Sequence, residues 1–261
     1  MMARLDRLWR RLPIWLTLCL LAGFPATVTS ANQDDPMRSV QWDTMQRRIL
    51  DGRPFVFDPR VKVLAPTSAE DSMAVPVFVD ASEVEGVSEI LVFADLNPIP
   101  EILRYIPVQA APRLGFRLKV QQATPIRAAA LSEDGVWHVG QIWLEAAGGG
   151  CTLPSLASGS SDWESHLGEV SGRIWRHEQS TRLRFTVVHP MDTGLAPGIP
   201  RFHLEEFDIR TDDGVTLARL ETFEPVSENP VFSLDLKPAV SAVRVGGRDN
   251  SGNRFDARVS E

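Results

Sequence analysis

The chain has 261 residues, a formal net charge of −7 and a hydrophobic fraction of 43%. That length is enough for two modest domains, since single domains usually span roughly 100 to 200 residues. The acidic balance and the lack of a basic stripe argue against a nucleic-acid partner, because phosphate binding needs clustered positive charge.

The first residues predict a secretory signal peptide. Residues 1–11 carry four arginines, residues 14–24 are apolar, and small residues follow up to Ala31. This order of basic, apolar and small residues is typical of a signal that is cleaved, and the apolar run is short for a bilayer span. We therefore expect residues 1–31 and Cys19 to be removed, leaving an exported protein without a membrane anchor.

The mature chain is predicted to begin with one short amphipathic helix. Residues 34–36 (Asp-Asp-Pro) suit a first turn, where carboxylates face the positive end of the helix dipole. Trp42, Met45 and Ile49 then recur at helical spacing, and the Asp-Gly pair at 51–52 is a stop signal. The apolar stripe is interpreted as a packing face.

From Phe55 onward, apolar residues recur at every second position. The clearest case is residues 113–120, in which leucine, phenylalanine and valine alternate with arginine, lysine and glycine. Such alternation is typical of a half-buried antiparallel strand, and turn residues separate several similar stretches. The sequence therefore predicts a mainly β protein, with an immunoglobulin-like sandwich over residues 35–147.

The basic side of that strand carries Arg113, Arg117 and Lys119. Solvated charges are common on the exposed face of a sheet. We therefore expect these side chains to lie in solvent, and the sequence assigns them no site.

A second immunoglobulin-like sandwich is predicted over residues 163–261. Residues 182–187 and 232–236 show the same two-residue period. The apolar parity slips near residues 205–206, which predicts a β-bulge, and Asp-Asp-Gly at 212–214 predicts a hairpin turn.

Cys151 is the one cysteine expected to survive signal cleavage, and it follows Gly148, Gly149 and Gly150. An unpaired cysteine in an oxidising compartment either pairs with another molecule or does chemistry. Glycines are costly to order, and residues 148–162 are rich in glycine and serine. We therefore predict a flexible arm and linker with an exposed functional thiol, the alternative being a cysteine that packs as a small hydrophobe.

No second site is predicted. A cysteine enzyme needs a base, but none of the histidines has a spacing to the thiol that indicates a catalytic pair; they are His138, His166, His177, His189 and His203. The His-Pro-Met sequence at 189–191 could offer copper ligands, although a turn explains it more simply. Paired zinc ligands and a phosphate-binding loop are lacking, so we expect no metal and no cofactor.

Several short motifs recur in a fixed order along the mature chain. They are Asn-Pro-Ile-Pro at 97–100, the glycine-flanked cysteine, Val-His-Pro-Met-Asp-Thr-Gly at 188–194, Gly-Ile-Pro at 198–200, Ser-Glu-Asn-Pro at 227–230 and Asp-Asn-Ser-Gly at 249–252. In this order the chain resembles SoxY followed by SoxZ, the two subunits of the sulfur-carrier complex of periplasmic thiosulfate oxidation. It is similar to the fused group called quinoprotein dehydrogenase-associated SoxYZ-like carriers.

The resemblance implies a periplasmic, non-enzymatic carrier that holds a sulfur species as a covalent adduct on Cys151. It also implies partner redox enzymes, namely a pyrroloquinoline-quinone (PQQ) dependent dehydrogenase system and c-type cytochromes, with the SoxZ-like half as a docking scaffold. One rival hypothesis is a scaffold or assembly factor for such a dehydrogenase, in which the cysteine is incidental. An enzyme with a Cys–His pair ranks third.

Overall fold

The structure is a computed structural model that describes residues 34–156, 163–178 and 180–261. Within these ranges the chain forms one short α-helix, a 3-10 turn and two large β-sheets. No helix in this part of the chain is long and apolar enough to cross a bilayer. The predicted signal peptide and residues 157–162 of the predicted linker lie outside the described residues.

Strands occupy most of both halves of the chain. The first half contains α1 (Trp42–Arg48), β1 (Phe55–Phe57), β2 (Lys62–Leu64), β3 (Val75–Asp80), β4 (Glu89–Ala94), β5 (Glu101–Ile106), β6 (Ala110–Leu118), β7 (Thr124–Leu131) and β8 (Trp137–Leu144). The second half contains the 3-10 turn (Trp163–His166), β9 (Val170–Arg176), β10 (Thr181–Val187), β11 (Leu204–Arg210), β12 (Thr216–Thr222), β13 (Val231–Leu236), β14 (Ala242–Asp249) and β15 (Arg254–Ser260).

Each half contributes strands to both sheets, which confirms the predicted sandwich class. The larger sheet has the order β1-β8-β7-β4-β5-β12-β11-β14-β15, and the smaller has the order β2-β3-β6-β13-β10-β9. The halves meet edge to edge, because β5 pairs with β12 and β6 pairs with β13. The named strands pair antiparallel except for β1 and β8. The two sandwiches therefore form one continuous pair of layers.

A single hydrophobic core fills the space between the layers. Leu114 on β6 and Leu234 on β13 are both buried and belong to the same cluster, although they come from different halves. Fully burying a leucine is worth about 1.5–3 kcal/mol, so each half stabilises the other. The predicted bulge is confirmed by a register shift between Leu204 and Glu206.

Helix α1 covers the outer face of the larger sheet in the first half. Its Trp42 and Met45 are buried against Leu91, Phe93 and Trp137. The helical spacing thus predicted a packing face correctly. Among the described residues, no helix covers the outer face of the same sheet in the second half, and that face is charged.

The helix begins later than predicted, because Asp35 makes a different local structure. Its carboxylate accepts hydrogen bonds from the backbone N–H groups of Met37 (3.1 Å) and Ser39 (2.7 Å). It also pairs with the buried Arg127 guanidinium at 2.8 Å. These bonds hold a turn that ties the start of the described chain to β7, and α1 starts only at Trp42.

Candidate functional site

Three glycines carry the chain from β8 across the end of β6. The N–H of Gly149 donates to the carbonyl of Gln121 at 3.2 Å, and the N–H of Gly150 donates to the carbonyl of Val120 at 3.0 Å. Gly148 and Gly149 have φ values of +101° and +91°, which side chains rarely tolerate. This segment is therefore fixed by backbone bonds to the first half.

The glycines also permit a very close approach between backbones. A Cβ on Gly150 would lie 2.0 Å from the carbonyl oxygen of Ser72 and 2.7 Å from that of Val120. A Cβ on Gly148 would lie 2.6 Å from the carbonyl oxygen of Gln121. Two of these glycines thus serve packing, whereas the sequence had suggested that they serve flexibility.

Cys151 follows this segment and lies at the seam between the two halves. Its side chain is 1% exposed, and its Sγ lies 3.7 Å from the carbonyl oxygen of Lys119. The Cys151 N–H donates to Gln121 Oε1 at 3.3 Å, and the Cys151 carbonyl accepts the hydroxyl of Thr193 at 2.6 Å. The prediction of an exposed thiol is wrong for this conformation.

Side chains of the second half hold the chain just after the cysteine. Ser155 donates its backbone N–H to Asp192 Oδ1 at 2.9 Å and its hydroxyl to Asp192 Oδ2 at 3.3 Å. Leu156 donates its backbone N–H to Glu228 Oε2 at 2.7 Å. We call residues 148–156 the carrier arm, with an N-terminal limb at 148–150 and a C-terminal limb at 152–156.

Lys119 is a buried cation beside the arm that the sequence interpretation placed in solvent. Its side chain is 0% exposed, and its Nζ donates to the carbonyl of Met191. Its own carbonyl accepts Asn97 Nδ2 at 2.9 Å. The prediction was wrong because β6 ends at Leu118, so the alternation of exposed and buried positions no longer applies at Lys119. The sequence signal for this site was Asn97, which belongs to the Asn-Pro-Ile-Pro motif at 97–100 and bonds to the Lys119 carbonyl.

The His-Pro-Met segment has a structural role at the seam. Met191 has a φ of +54°, and its N–H donates to His189 Nδ1 at 3.0 Å. The His189 ring is buried, with Nε2 3.6 Å from Asp249 Oδ2. Burial lowers the pKa of His189 to about 4, so the ring is neutral at pH 7. His189 thereby fixes the turn that directs the Met191 carbonyl at Lys119.

Two family models match the two halves. The model described as "Sulfur oxidation protein SoxY" matches residues 46–151, and the one described as "Sulphur oxidation protein SoxZ" matches residues 174–260. Together they span well over half of the chain. The chain is a SoxY domain fused to a SoxZ domain. The SoxY match ends on Cys151 itself, and Thr193 of the SoxZ domain donates its hydroxyl to the Cys151 carbonyl.

Similar solved structures add little beyond this assignment. The sulfur carrier protein SoxY from Chlorobium limicola f thiosulfatophilum is 19% identical, with 40% of this chain and 90% of that chain covered and a TM-score of 0.36. A β-glycosidase from Bacteroides vulgatus and a β-glucuronidase from Parabacteroides merdae are each 10% identical, with 77% of this chain and 24% of theirs covered and TM-scores of 0.22 and 0.23. No curated protein matches the chain.

Burial at the seam between the SoxY and SoxZ domains disfavours the thiolate form of Cys151. Burial raises the pKa of Cys151 to about 12, and the nearby positive charge of Lys119 opposes that shift. Burial likewise lowers the pKa of Lys119, against the attraction of Asp192 and Glu228. Since the thiolate is the nucleophile, this arrangement stores Cys151 as a neutral thiol.

No histidine takes part in the electrostatics of Cys151, and His138 lies in a different cluster. Its Nδ1 is 2.7 Å from Asp58 Oδ2, and its Nε2 is 3.1 Å from Ser132 Oγ. These distances match those of a serine-hydrolase triad, but the Ser132 hydroxyl donates to Asp134 Oδ1 at 2.5 Å. The cluster therefore closes the β7–β8 hairpin. In the described ranges, no group of three or more potential ligands is placed to hold a metal ion.

Proposed function

We propose that the protein carries a sulfur species as a covalent adduct on Cys151 and presents it to partner redox enzymes. Its SoxY and SoxZ domains mark it as a carrier protein of sulfur oxidation. The observation that carries the assignment to Cys151 is that the SoxY match ends on this residue, at the end of a glycine limb built into the fold. The carrier role requires no catalytic group of its own.

The adduct requires the carrier arm to open. A side chain that is 1% exposed leaves no room for a thiosulfate or sulfonate group, and burying such an anion would carry a large desolvation cost. Opening breaks the bonds that Thr193, Asp192 and Glu228 make with residues 151–156, while the N-terminal limb stays bonded to the first half. The closed arm is thus the resting state, and the open arm is the loaded one.

The chemistry of loading identifies the kind of partner. Joining thiosulfate to the thiolate forms a sulfur–sulfur bond and leaves two electrons, so an electron acceptor must take part. A c-type cytochrome fits this need, in line with the family resemblance. We also propose a periplasmic location and an association with a PQQ-dependent dehydrogenase. Residues 1–31 support export, and the family resemblance supports the dehydrogenase.

Tetrathionate tests the adduct without any partner enzyme. A Cys151 thiolate that attacks tetrathionate displaces thiosulfate and keeps one thiosulfate unit in a disulfide bond, with no net electron transfer. Intact-mass analysis should show this single addition on the native protein, its removal by a reductant, and its absence in Cys151→Ala. A native protein that never reacts, while the same protein reacts when unfolded in urea, would contradict the carrier role.

A scaffold role is the second candidate, favoured by one observation. A thiol that is 1% exposed with a pKa of about 12 has the properties of a packed, inert cysteine. If this role is correct, Cys151→Ala should support the activity of the partner dehydrogenase as well as the natural chain does. If that variant folds normally but the dehydrogenase loses activity, the scaffold role is excluded and the carrier role is supported.

A further inference from the structure

Several arginines on the outer face of the smaller sheet have no counter-ion among the described residues. Arg173 on β9, Arg184 on β10 and Arg117 on β6 are all exposed. No carboxylate in the described part of the chain forms an ion pair with them, whereas Arg113 and Arg182 on the same face both pair with Asp235. We call Arg117, Arg173 and Arg184 the arginine face.

The register of the sheet makes this charge costly. Arg173 lies directly opposite Arg184 in the β9–β10 pair. Like charges at opposed positions destabilise an antiparallel pair, so packing within the sheet does not account for them. Two arginines that destabilise their own strand pair, with no compensating contact inside the protein, are expected where the surface serves a function.

The outer face of the larger sheet provides the contrast. Most arginines there lie between 2.8 and 3.9 Å from a carboxylate, whereas Arg254 forms no ion pair with a described residue; the paired ones are Arg104, Arg210, Arg219, Arg244, Arg248 and Arg258. Both faces belong to a chain with a net charge of −7. A group of three unpaired arginines is therefore a local feature of the arginine face and does not follow from composition.

A groove on the arginine face suits a protein partner. Its volume is about 250 Å³, and Trp175, Arg173, Arg184 and Val231 are among its lining residues. Gly172 allows β9 and β10 to approach closely beside it, because a Cβ there would lie 2.7 Å from the carbonyl oxygen of Arg184. Trp175 is 42% exposed and lies under the Arg173 guanidinium at 5.9 Å. Tryptophan and arginine are the residues that most often dominate binding at protein interfaces.

The arginine face adjoins the carrier arm. The hydroxyl of Thr186, which also lines the groove, donates to the carbonyl of Asn229 at 3.1 Å. The neighbouring Glu228 accepts the N–H of Leu156 in the C-terminal limb. We propose that the arginine face docks an acidic surface of a partner protein, which then lies next to the arm. The docking surface does not itself depend on the thiol.

A labelled peptide of glutamates ending in phenylalanine tests this surface. Fluorescence anisotropy would measure its affinity for the full chain at several salt concentrations. Arg173→Glu/Arg184→Glu should weaken binding at least tenfold and reduce its salt dependence. A charge pair across the interface contributes to the affinity, and salt screens that contribution. Arg244→Glu/Arg258→Glu changes the net charge equally on the other face and should alter binding less than twofold. Thermal melts would verify that both variants fold.

Other outcomes would overturn the proposal. Equal loss in both double variants would show only an effect of net charge. Equally tight binding of a duplex DNA fragment would indicate a general polyanion surface, and displacement of the peptide by millimolar sulfate would indicate a small-anion site. A dimer seen by sedimentation and lost in Arg173→Glu/Arg184→Glu would assign the face to a second copy. Cys151→Ala should bind the peptide normally, so failure here is distinct from failure of the carrier role.

Discussion

The two limbs that flank Cys151 are held mainly by different domains and by different kinds of bond, although Thr152 also bonds to Gln121 of the SoxY domain. Gly149 and Gly150 bond to the SoxY domain through backbone groups, in a space that excludes a Cβ at Gly150. Ser155 and Leu156 bond to carboxylates of the SoxZ domain. A single hydrogen bond contributes about 1 kcal/mol net, and water or a partner can replace it. The SoxZ domain therefore controls release, while the SoxY domain provides the anchor.

The largest expected effect comes from forcing the N-terminal limb off its anchor. In Gly150→Ala the new Cβ meets the Ser72 carbonyl oxygen at 2.0 Å, so the limb must move. Overpacking of this kind costs about 3 kcal/mol, which corresponds to a roughly hundredfold faster reaction of Cys151 with iodoacetamide. Mass spectrometry of timed samples would measure the rate.

Gly149→Ala is the matched control for that prediction. Its Cβ would meet nothing closer than Leu153 Cδ1 at 3.9 Å, so the cost is only the strain of a φ of +91°. That strain is about 1 kcal/mol and should speed the reaction roughly fivefold. Equal rates in the two variants would show that the close contact does not hold the arm shut.

A smaller effect is expected from the C-terminal limb. Asp192→Ala removes the acceptor of both Ser155 bonds and a negative charge that acts on Lys119. The loss of about 2 kcal/mol should raise the alkylation rate of Cys151 roughly thirtyfold. Asp192→Asn keeps one oxygen acceptor without the charge, so its alkylation rate should lie between those of the natural chain and Asp192→Ala. A rate unchanged in Asp192→Ala would contradict control by the SoxZ domain.

Among the effects of the buried site itself, the smallest is expected from alkaline pH. The pKa of Cys151 rises from an ordinary value of about 9 to about 12 in the fold. The unfolded chain therefore loses this proton first, and stability declines as the pH rises above about 9. Near pH 10 the loss should be about 1.4 kcal/mol, measured by urea unfolding. Cys151→Ala should lack that decline, and identical pH profiles would contradict the burial of the thiol.

Strands were predictable because their signal is local. Alternation along residues 182–187 and 232–236 predicts β10 and β13, since the side-chain period of a strand is two. The choice of strand partners is not local, so the joining of β5 to β12 had no sequence signal. The helix start was misplaced because the partner of Asp35 is Arg127, 92 residues away.

The assignment of the site to Cys151 stays a prediction, whereas the predicted exposure of its thiol was wrong. Composition identifies Cys151 and its glycines, and the SoxY match agrees with that position. The arm is held by residues distant in sequence: Thr193, 42 residues further along, bonds to the Cys151 carbonyl, and Glu228, 72 residues from Leu156, bonds to the Leu156 N–H. Glycine was interpreted as a source of freedom, whereas the structure uses Gly150 for close approach.

The continuous sheets have a consequence for how the thiol is protected. Separate subunits joined along an edge come apart on dilution, because their association depends on concentration. In this chain the edges of β5 and β12 belong to one polypeptide, so the neighbouring domain is always present at a high effective concentration. Protection of Cys151 should therefore be the same in a sparse cell extract as in a concentrated sample.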